Sequence, residues 1–151
     1  MKIYFDMDGT IADLYSNPDW LSKLRAYNPE PYATARPLIN LSLLARYIHK
    51  LQKQGIQVGI ISWLSKETTE AYNQEVTNAK LDWLRRHLPS VTFDSIAIIP
   101  YGQPKWEPIP KDCLNILFDD ERRNTVEWVC QGCGYGYPPE KIFEILRKLV
   151  K

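Results

Sequence analysis

The chain has 151 residues, of which 44% are hydrophobic and 25% are charged, and its formal net charge is +1 at pH 7. This length and composition predict one globular domain with a substantial core. The net charge of +1 excludes a protein whose overall electrostatic field attracts nucleic acid or an anionic membrane. No apolar run approaches the length of a membrane span, and the N-terminus enters a strand without a signal peptide, so we expect a cytoplasmic protein.

The first predicted element is a short apolar strand, Ile3 to Phe5, which is followed by Asp6, Asp8 and Gly9. A short apolar run that ends in a glycine turn indicates a buried strand. Because ligands bind outside the carboxyl ends of the strands in an open α/β sheet, both carboxylates are expected at the mouth of a crevice. The alternative is that these acidic residues cap the next helix or solvate a turn.

The segment after this strand has a different composition. A helical turn is expected over residues 11–15, and residues 16–37 then contain four prolines together with Trp20, Tyr27 and Tyr32. The one helix candidate in this segment covers residues 19–25. So short a segment is not sufficient for a second domain.

The rest of the chain alternates between predicted helices and predicted strands. Helices are expected over residues 37–54, 66–75, 78–88, 121–129 and from Pro138 onward, and strands over 56–61, 95–99 and 114–118, with a turn or short edge strand over 132–137. The strand over 95–99 is almost continuously apolar, which indicates burial on both faces. This alternation predicts a three-layer α/β/α sandwich with a Rossmann-like parallel sheet.

A second acidic pair, Asp119-Asp120, ends the predicted strand over 114–118. If this strand lies beside the first, three or four carboxylates meet at one point. Two like charges 4 Å apart repel by roughly 4 kcal/mol at an effective dielectric constant of 20, so the cluster needs a cation or a raised pKa. Carboxylate oxygens with room for water favour Mg²⁺. The alternative for this pair is an ordinary helix N-cap.

The two acidic motifs resemble those of the haloacid dehalogenase-like superfamily of phosphohydrolases. Asp6-Met7-Asp8-Gly9-Thr10 is similar to its first motif, and Asp119-Asp120 is similar to its fourth. The superfamily also has a Ser or Thr at the end of the second strand, where Ser62 lies, and a Lys before the fourth motif. Lys105 and Lys111 both precede that motif, and Lys105 is preferred because its loop is long enough to reach the carboxyl end of the sheet.

The resemblance implies a role for each of these residues. Asp6 would be the nucleophile that forms an aspartyl-phosphate, and Asp8 the acid and base. Mg²⁺ would be held by Asp6, the backbone carbonyl of Asp8 and Asp119, with Asp120 acting through water. Ser62 and Lys105 would bind the phosphate.

The resemblance also implies a single domain over residues 1–151 with a rudimentary cap, or flap, inserted at about 14–36. The first motif, the small flap and the helix over 78–88 are similar to the deoxyribonucleotidase branch. Trp20, Tyr27 and Tyr32 are expected either to stack on a nucleobase or to form the flap's own small core.

The implied function is a Mg²⁺-dependent phosphohydrolase that cleaves a small phosphomonoester, with a nucleoside monophosphate as one candidate. Alternatives are a phosphatase acting on a macromolecule, such as a nucleic-acid end or a phosphoprotein, and a non-catalytic phosphate-binding module. Neither a membrane nor a nucleic-acid partner is indicated by the sequence.

Three cysteines are present, and Cys130 and Cys133 have the C-x-x-C spacing of a zinc or redox pair. A structural zinc site needs two more thiolate or imidazole ligands. Only Cys113 and two histidines within predicted helices remain to supply them, so free thiols are expected.

Overall fold

The structure is a computed structural model that describes residues 1–151. Its central sheet has five parallel strands in the order β5-β4-β1-β6-β7. These strands are β1 Lys2–Phe5, β4 Gln57–Trp63, β5 Ser95–Ile99, β6 Asn115–Phe118 and β7 Gly134–Tyr137. A separate antiparallel pair consists of β2 Ala12–Asp13 and β3 Arg36–Pro37. The helices are α1 Trp20–Arg25, α2 Glu30–Thr34, α3 Leu41–Lys53, α4 Glu70–His87, α5 Arg122–Cys130 and α6 Ile142–Leu149. A 3₁₀ turn over Pro139–Lys141 comes directly before α6.

Helices cover both faces of this sheet, so the predicted three-layer α/β/α sandwich is confirmed. On one face, the buried side chains of β1 and β6 pack with those of α3, α4 and α6 in a cluster of 19 buried residues. On the other face, a smaller cluster joins Tyr4, Ile61 and Leu117 to Trp128 of α5 and Ile109 of the loop before β6. No helix is both long and apolar enough to cross a membrane.

Three expectations about helical segments were wrong. Pro37 lies in β3, and α3 begins four residues later, where the Asn40 side chain caps it by accepting from the Leu43 N–H at 2.9 Å. The helical turn expected over 11–15 contains β2 instead. The two helices predicted over 66–88 are one helix, because Val76 is buried at the expected break and the Thr77 hydroxyl donates to the Asn73 carbonyl within the helix.

The expectation that the strand over 95–99 is buried on both faces was also wrong. It forms β5 at the edge of the sheet, where Ser95 and Ile96 are exposed and Ile99 alone is buried. Its apolar sequence therefore reflects strand propensity more than burial. At the opposite edge, β7 is the short edge strand that the sequence left as one of two options.

Residues 14–36, the flap, leave the core at β2 and return at β3. Leu14 and Tyr32 of the flap pack with Tyr72 and Val76 of α4 in a third buried cluster. Three side chains of α4 also donate hydrogen bonds to flap carbonyls: Tyr72 to Asn28 at 3.0 Å, Trp83 to Ala35 at 2.7 Å and Arg86 to Ala33 at 2.6 Å. The part of the flap that contains α2 is therefore fixed to α4, whereas α1 has no buried residue.

Candidate active site

A crevice opens at the carboxyl ends of β1, β4 and β6, where the strand order places ligand sites in open α/β sheets. It contains a cavity of about 560 Å³. Its floor is polar, and six aromatic side chains lie on its walls. The floor residues are Asp6, Asp8, Lys105, Asp119, Asp120 and Asn124.

At the centre of the floor, Lys105 joins two carboxylates. Its Nζ lies 2.8 Å from Asp6 Oδ1 and 2.6 Å from Asp119 Oδ2, and all three side chains are buried. Burial alone would lower the pKa of Lys105, but the charges of Asp6 and Asp119 outweigh it and raise that pKa. The lysine is therefore a fixed cation beside Asp6.

The two carboxylates that follow β6 differ in their surroundings. Asp119 is buried and fully engaged: Oδ1 accepts from the Glu121 N–H at 2.8 Å, and Oδ2 accepts from Asn124 at 3.0 Å as well as from Lys105. Burial and then the charge of Asp6 raise the pKa of Asp119 to about 6. Asp120 is more exposed, yet desolvation within the crevice and the charges of Asp6 and Asp119 raise its pKa to about 7.

Three carboxylates are close enough to share one cation. Asp6, Asp119 and Asp120 each offer an oxygen, and the three oxygens lie within 4.8 Å of one another. Carboxylate oxygens are the ligands of a hard divalent cation, and desolvation together with the charge of Asp6 raises the pKa of both Asp119 and Asp120. The residues therefore fit a divalent metal. The side chain of Asp8 is outside this group.

The turn between β1 and β2 requires a glycine. Gly9 has φ = +76°, and a Cβ there would lie 2.2 Å from Asp120 Oδ2. The next residue, Thr10, is fully buried, and its hydroxyl accepts from the Asp120 N–H at 3.2 Å. This turn therefore determines where the Asp120 carboxylate lies.

A second lysine, Lys80, which the sequence reasoning missed, lies beside Asp8. Its Nζ donates to Asp8 Oδ2 at 2.6 Å, to Ser62 Oγ at 2.8 Å and to the Trp63 carbonyl at 2.8 Å. The ammonium also lies 4.9 Å from the centroid of the Tyr32 ring. Burial raises the pKa of Asp8 above its ordinary value, although the charge of Lys80 opposes that change.

A signal for Lys80 does exist in the sequence. It falls on the apolar stripe of α4, four residues after Val76 and four before Leu84, and all three side chains are buried. A lysine at such a position is unusual, because lysine is almost never fully buried without a partner. Predicting a helix that began only at residue 78 hid this periodicity.

All three flap aromatics line the cavity, but they differ in burial. Tyr32 is buried and its hydroxyl bonds to Ser65, and Trp20 is partly buried against the same cluster as Tyr32. Tyr27 is exposed. Trp63, which the sequence reasoning missed, also lines the cavity, and its ring centroid lies 5.1 Å from that of Tyr101.

The other predicted residues can now be placed. Ser62 is fully buried behind the cavity floor, against Lys80. Lys105 reaches the carboxyl end of the sheet, whereas Lys111 is exposed and lies over the Trp106 ring, 4.6 Å from its centroid. The three cysteines are unpaired, and the only group of three or more candidate metal ligands is the aspartate group.

Neither a protein-family model nor a curated protein matches this sequence. Solved structures do match its fold. One is a D,D-heptose 1,7-bisphosphate phosphatase from Burkholderia thailandensis, with a TM-score of 0.53 and 16% identity over 87% of this chain and 73% of that chain. Another is the corresponding phosphatase from B. bronchiseptica, complexed with magnesium and phosphate, with a TM-score of 0.57 and 17% identity over 91% and 79% of the two chains.

A third match is to a Pnkp1/Rnl/Hen1 complex, with a TM-score of 0.57 and 15% identity over 91% of this chain but only 44% of that one. At these identities the matches show a shared fold. That fold agrees with the resemblance to the haloacid dehalogenase-like superfamily. None of the three matches supports its deoxyribonucleotidase branch.

Proposed function

We propose that this protein is a Mg²⁺-dependent phosphohydrolase that cleaves a phosphomonoester through an aspartyl-phosphate on Asp6. The observation that carries the proposal is the joining of Asp6 and Asp119 by Lys105 at the carboxyl ends of β1 and β6, with Asp120 beside them. The fold that the chain shares with phosphatases, one of them complexed with magnesium and phosphate, supports it.

Asp6 and Asp8 have different roles in the reaction. An oxygen of Asp6 attacks the phosphorus while the bond to the leaving oxygen breaks, and Asp8 gives that oxygen its proton. Asp8 then takes a proton from water, the water oxygen attacks the phosphorus, and the bond to Asp6 breaks to regenerate the carboxylate. Burial raises the pKa of Asp8, and the neighbouring ammonium of Lys80 opposes that change.

The remaining floor residues orient the carboxylates and offset their negative charge. Lys105 holds Asp6 in place and presents positive charge next to an incoming phosphate. Mg²⁺, held by Asp6, Asp119 and Asp120, would neutralise negative charge on the phosphoryl group when bound. Asn124 and the Glu121 N–H keep the Asp119 carboxylate oriented.

A panel of phosphomonoesters, assayed for phosphate release with Mg²⁺ and with EDTA, tests this function. Asp6→Asn retains the side-chain volume but removes the nucleophile, so we expect release to fall by at least about a thousandfold with the unfolding temperature nearly unchanged. Asp82→Asn, at an exposed position on α4, is the matched control and should retain activity. Near-wild-type activity in Asp6→Asn would exclude the aspartyl-phosphate mechanism, and no release by the wild type would favour the non-catalytic alternative.

The aromatic walls favour a planar leaving group, so a nucleoside monophosphate is our candidate substrate. Trp20 on the flap and Trp63 on the core both line the cavity, and stacking a base on an aromatic ring contributes about 1–3 kcal/mol. We expect kcat/KM to be higher for a deoxynucleoside monophosphate than for a sugar phosphate, and Trp20→Ala to erase that preference. An equal loss on both substrates would indicate that Trp20 serves only the packing of the flap.

A further inference from the structure

Lys80 is a fully buried cation, and it has no role in the reaction proposed above. All three of its N–H groups have acceptors, and the flap covers it through the Tyr32 ring. A buried ion pair seldom stabilises a fold more than apolar side chains of similar volume do, because both charges lose their hydration. Stability alone therefore does not explain a lysine at this position of α4.

The contacts of Lys80 join two groups that come from different strands. Asp8 follows β1, and Ser62 lies in β4, next to the Trp63 carbonyl that Lys80 also contacts. A single ammonium within 2.8 Å of all three acceptors sets their relative positions. Since α4 is rigidly packed against the core, this link does not depend on a mobile loop.

We propose that Lys80 is a positioning residue for proton transfer by Asp8. Lys80 anchors Asp8 Oδ2, and Asp8 Oδ1, which has no hydrogen-bond partner within the protein, is the oxygen that exchanges a proton with the substrate. Lys80 also donates to Ser62 Oγ at 2.8 Å, so the same ammonium ties Asp8 to the end of β4. This inference rests on the proposed phosphohydrolase function.

A positioning role makes the effect of Lys80 depend on the leaving group. An alkoxide needs a proton from Asp8 to depart, whereas 4-nitrophenolate leaves without one. General acid catalysis therefore contributes much to the cleavage of an alkyl phosphate and little to that of 4-nitrophenyl phosphate. A purely structural lysine would affect both esters equally.

The test compares kcat/KM for a simple alkyl phosphate and for 4-nitrophenyl phosphate at saturating Mg²⁺, because kcat/KM reports the steps up to departure of the leaving group and not the later hydrolysis that both esters share. We expect Lys80→Met to lower kcat/KM on the alkyl ester by about 10- to 100-fold and to change it little on the aryl ester. Lys111→Met, which removes an exposed lysine outside the crevice, should leave both rates unchanged. If Lys80→Met does not fold, Lys80→Gln, which retains one donor group, enters the same comparison.

A double-mutant cycle provides the second measurement. Asp8→Asn already removes the proton donor, so adding Lys80→Met should cause little further loss on the alkyl ester. Equal losses on both esters, or additive losses in the cycle, would overturn the role of Lys80 while leaving the proposed function intact. A wild-type protein that hydrolyses neither ester would instead overturn the proposed function itself.

Discussion

At the scale of single residues, the site depends on close approaches that permit little substitution. The Gly9 turn brings the backbone against the Asp120 carboxylate, and Lys105 fits between two buried aspartates. Each contact places a charge relative to another charge. Small displacements here therefore change the chemistry more than they change the free energy of unfolding.

We predict that Gly9→Ala abolishes most of the proposed phosphatase activity. Its Cβ would have to sit 2.2 Å from Asp120 Oδ2, so that the carboxylate must move by about 1 Å, a displacement that can cost about 100-fold in rate. Gly55→Ala is the matched control, because Gly55 has nearly the same φ, +78°, and no atom within 4 Å of the added Cβ.

Both variants should lose roughly 1–2 kcal/mol of stability, since both force alanine into the left-handed region. Only Gly9→Ala should lose activity and bind Mg²⁺ more weakly in a titration. Equal activity in the two variants would show that the position of Asp120 does not matter.

How much of the site the sequence predicts depends on how local the signal is. Asp6, Asp8, Asp119 and Asp120 were identifiable because each lies at or just after the end of a recognisable strand. Lys80 was not, because its partner Asp8 is 72 positions away and only the packed fold brings them together. Because the predicted helix began only at residue 78, Val76 was left out of its apolar stripe, and the place of Lys80 on that stripe was missed.

At the scale of elements, α4 is what holds the flap in place. It contributes buried side chains to two hydrophobic clusters and three hydrogen bonds to flap carbonyls. The sequence predicted β1, β4, β5 and β6 well because short apolar runs are distinctive, but it missed the two-residue strands β2 and β3. It predicted the flap's attachment poorly because backbone carbonyls carry no sequence signal.

We predict that Trp83→Phe destabilises the protein by about 1–3 kcal/mol through the loss of a hydrogen bond. The indole N–H donates to the Ala35 carbonyl at 2.7 Å in a buried environment, and phenylalanine leaves that acceptor unpaired. Trp128→Phe is the matched control, because Trp128 is equally buried but its N–H has no partner. Urea unfolding of both variants measures the difference, and equal destabilisation would indicate that only lost packing matters.

At the scale of the whole molecule, a near-neutral chain concentrates negative charge at one point. Asp119 and Asp120 have pKa values of about 6 and about 7, both above the usual 3.8. Between pH 4 and 7 the folded state therefore binds more protons than the unfolded state does. Their contribution to stability is present at low pH and is lost as the pH rises through these values.

We predict that the metal-free protein becomes less stable between pH 5 and pH 8, and that Mg²⁺ stabilises it more at pH 8. The cation binds the deprotonated carboxylates and relieves their repulsion. His87 opposes the trend, because burial lowers its pKa and its contribution rises with pH. Unfolding temperatures with EDTA and with Mg²⁺ at both pH values provide the measurement.

Asp120→Asn is the control for this pH dependence, because it removes the carboxylate with the higher pKa. Its metal-free stability should vary less with pH than that of the wild type. A wild-type protein whose stability rises steadily from pH 5 to pH 8 would contradict the assignment of raised pKa values to this cluster.

The pairing of β2 with β3 has a consequence for how this architecture can change. Asp13 and Arg36 are direct neighbours, so the chain leaves the core and re-enters it at adjacent positions. Within the loop between them, α1 has no buried residue, whereas α2 and its surroundings are tied to α4. The α1 segment, which contacts the rest of the protein only through partly buried side chains, is thus the part of the flap that can change with the least effect on the core. A longer or shorter insert at this point can reshape the entrance, and with it the range of molecules admitted, while the polar floor stays as it is.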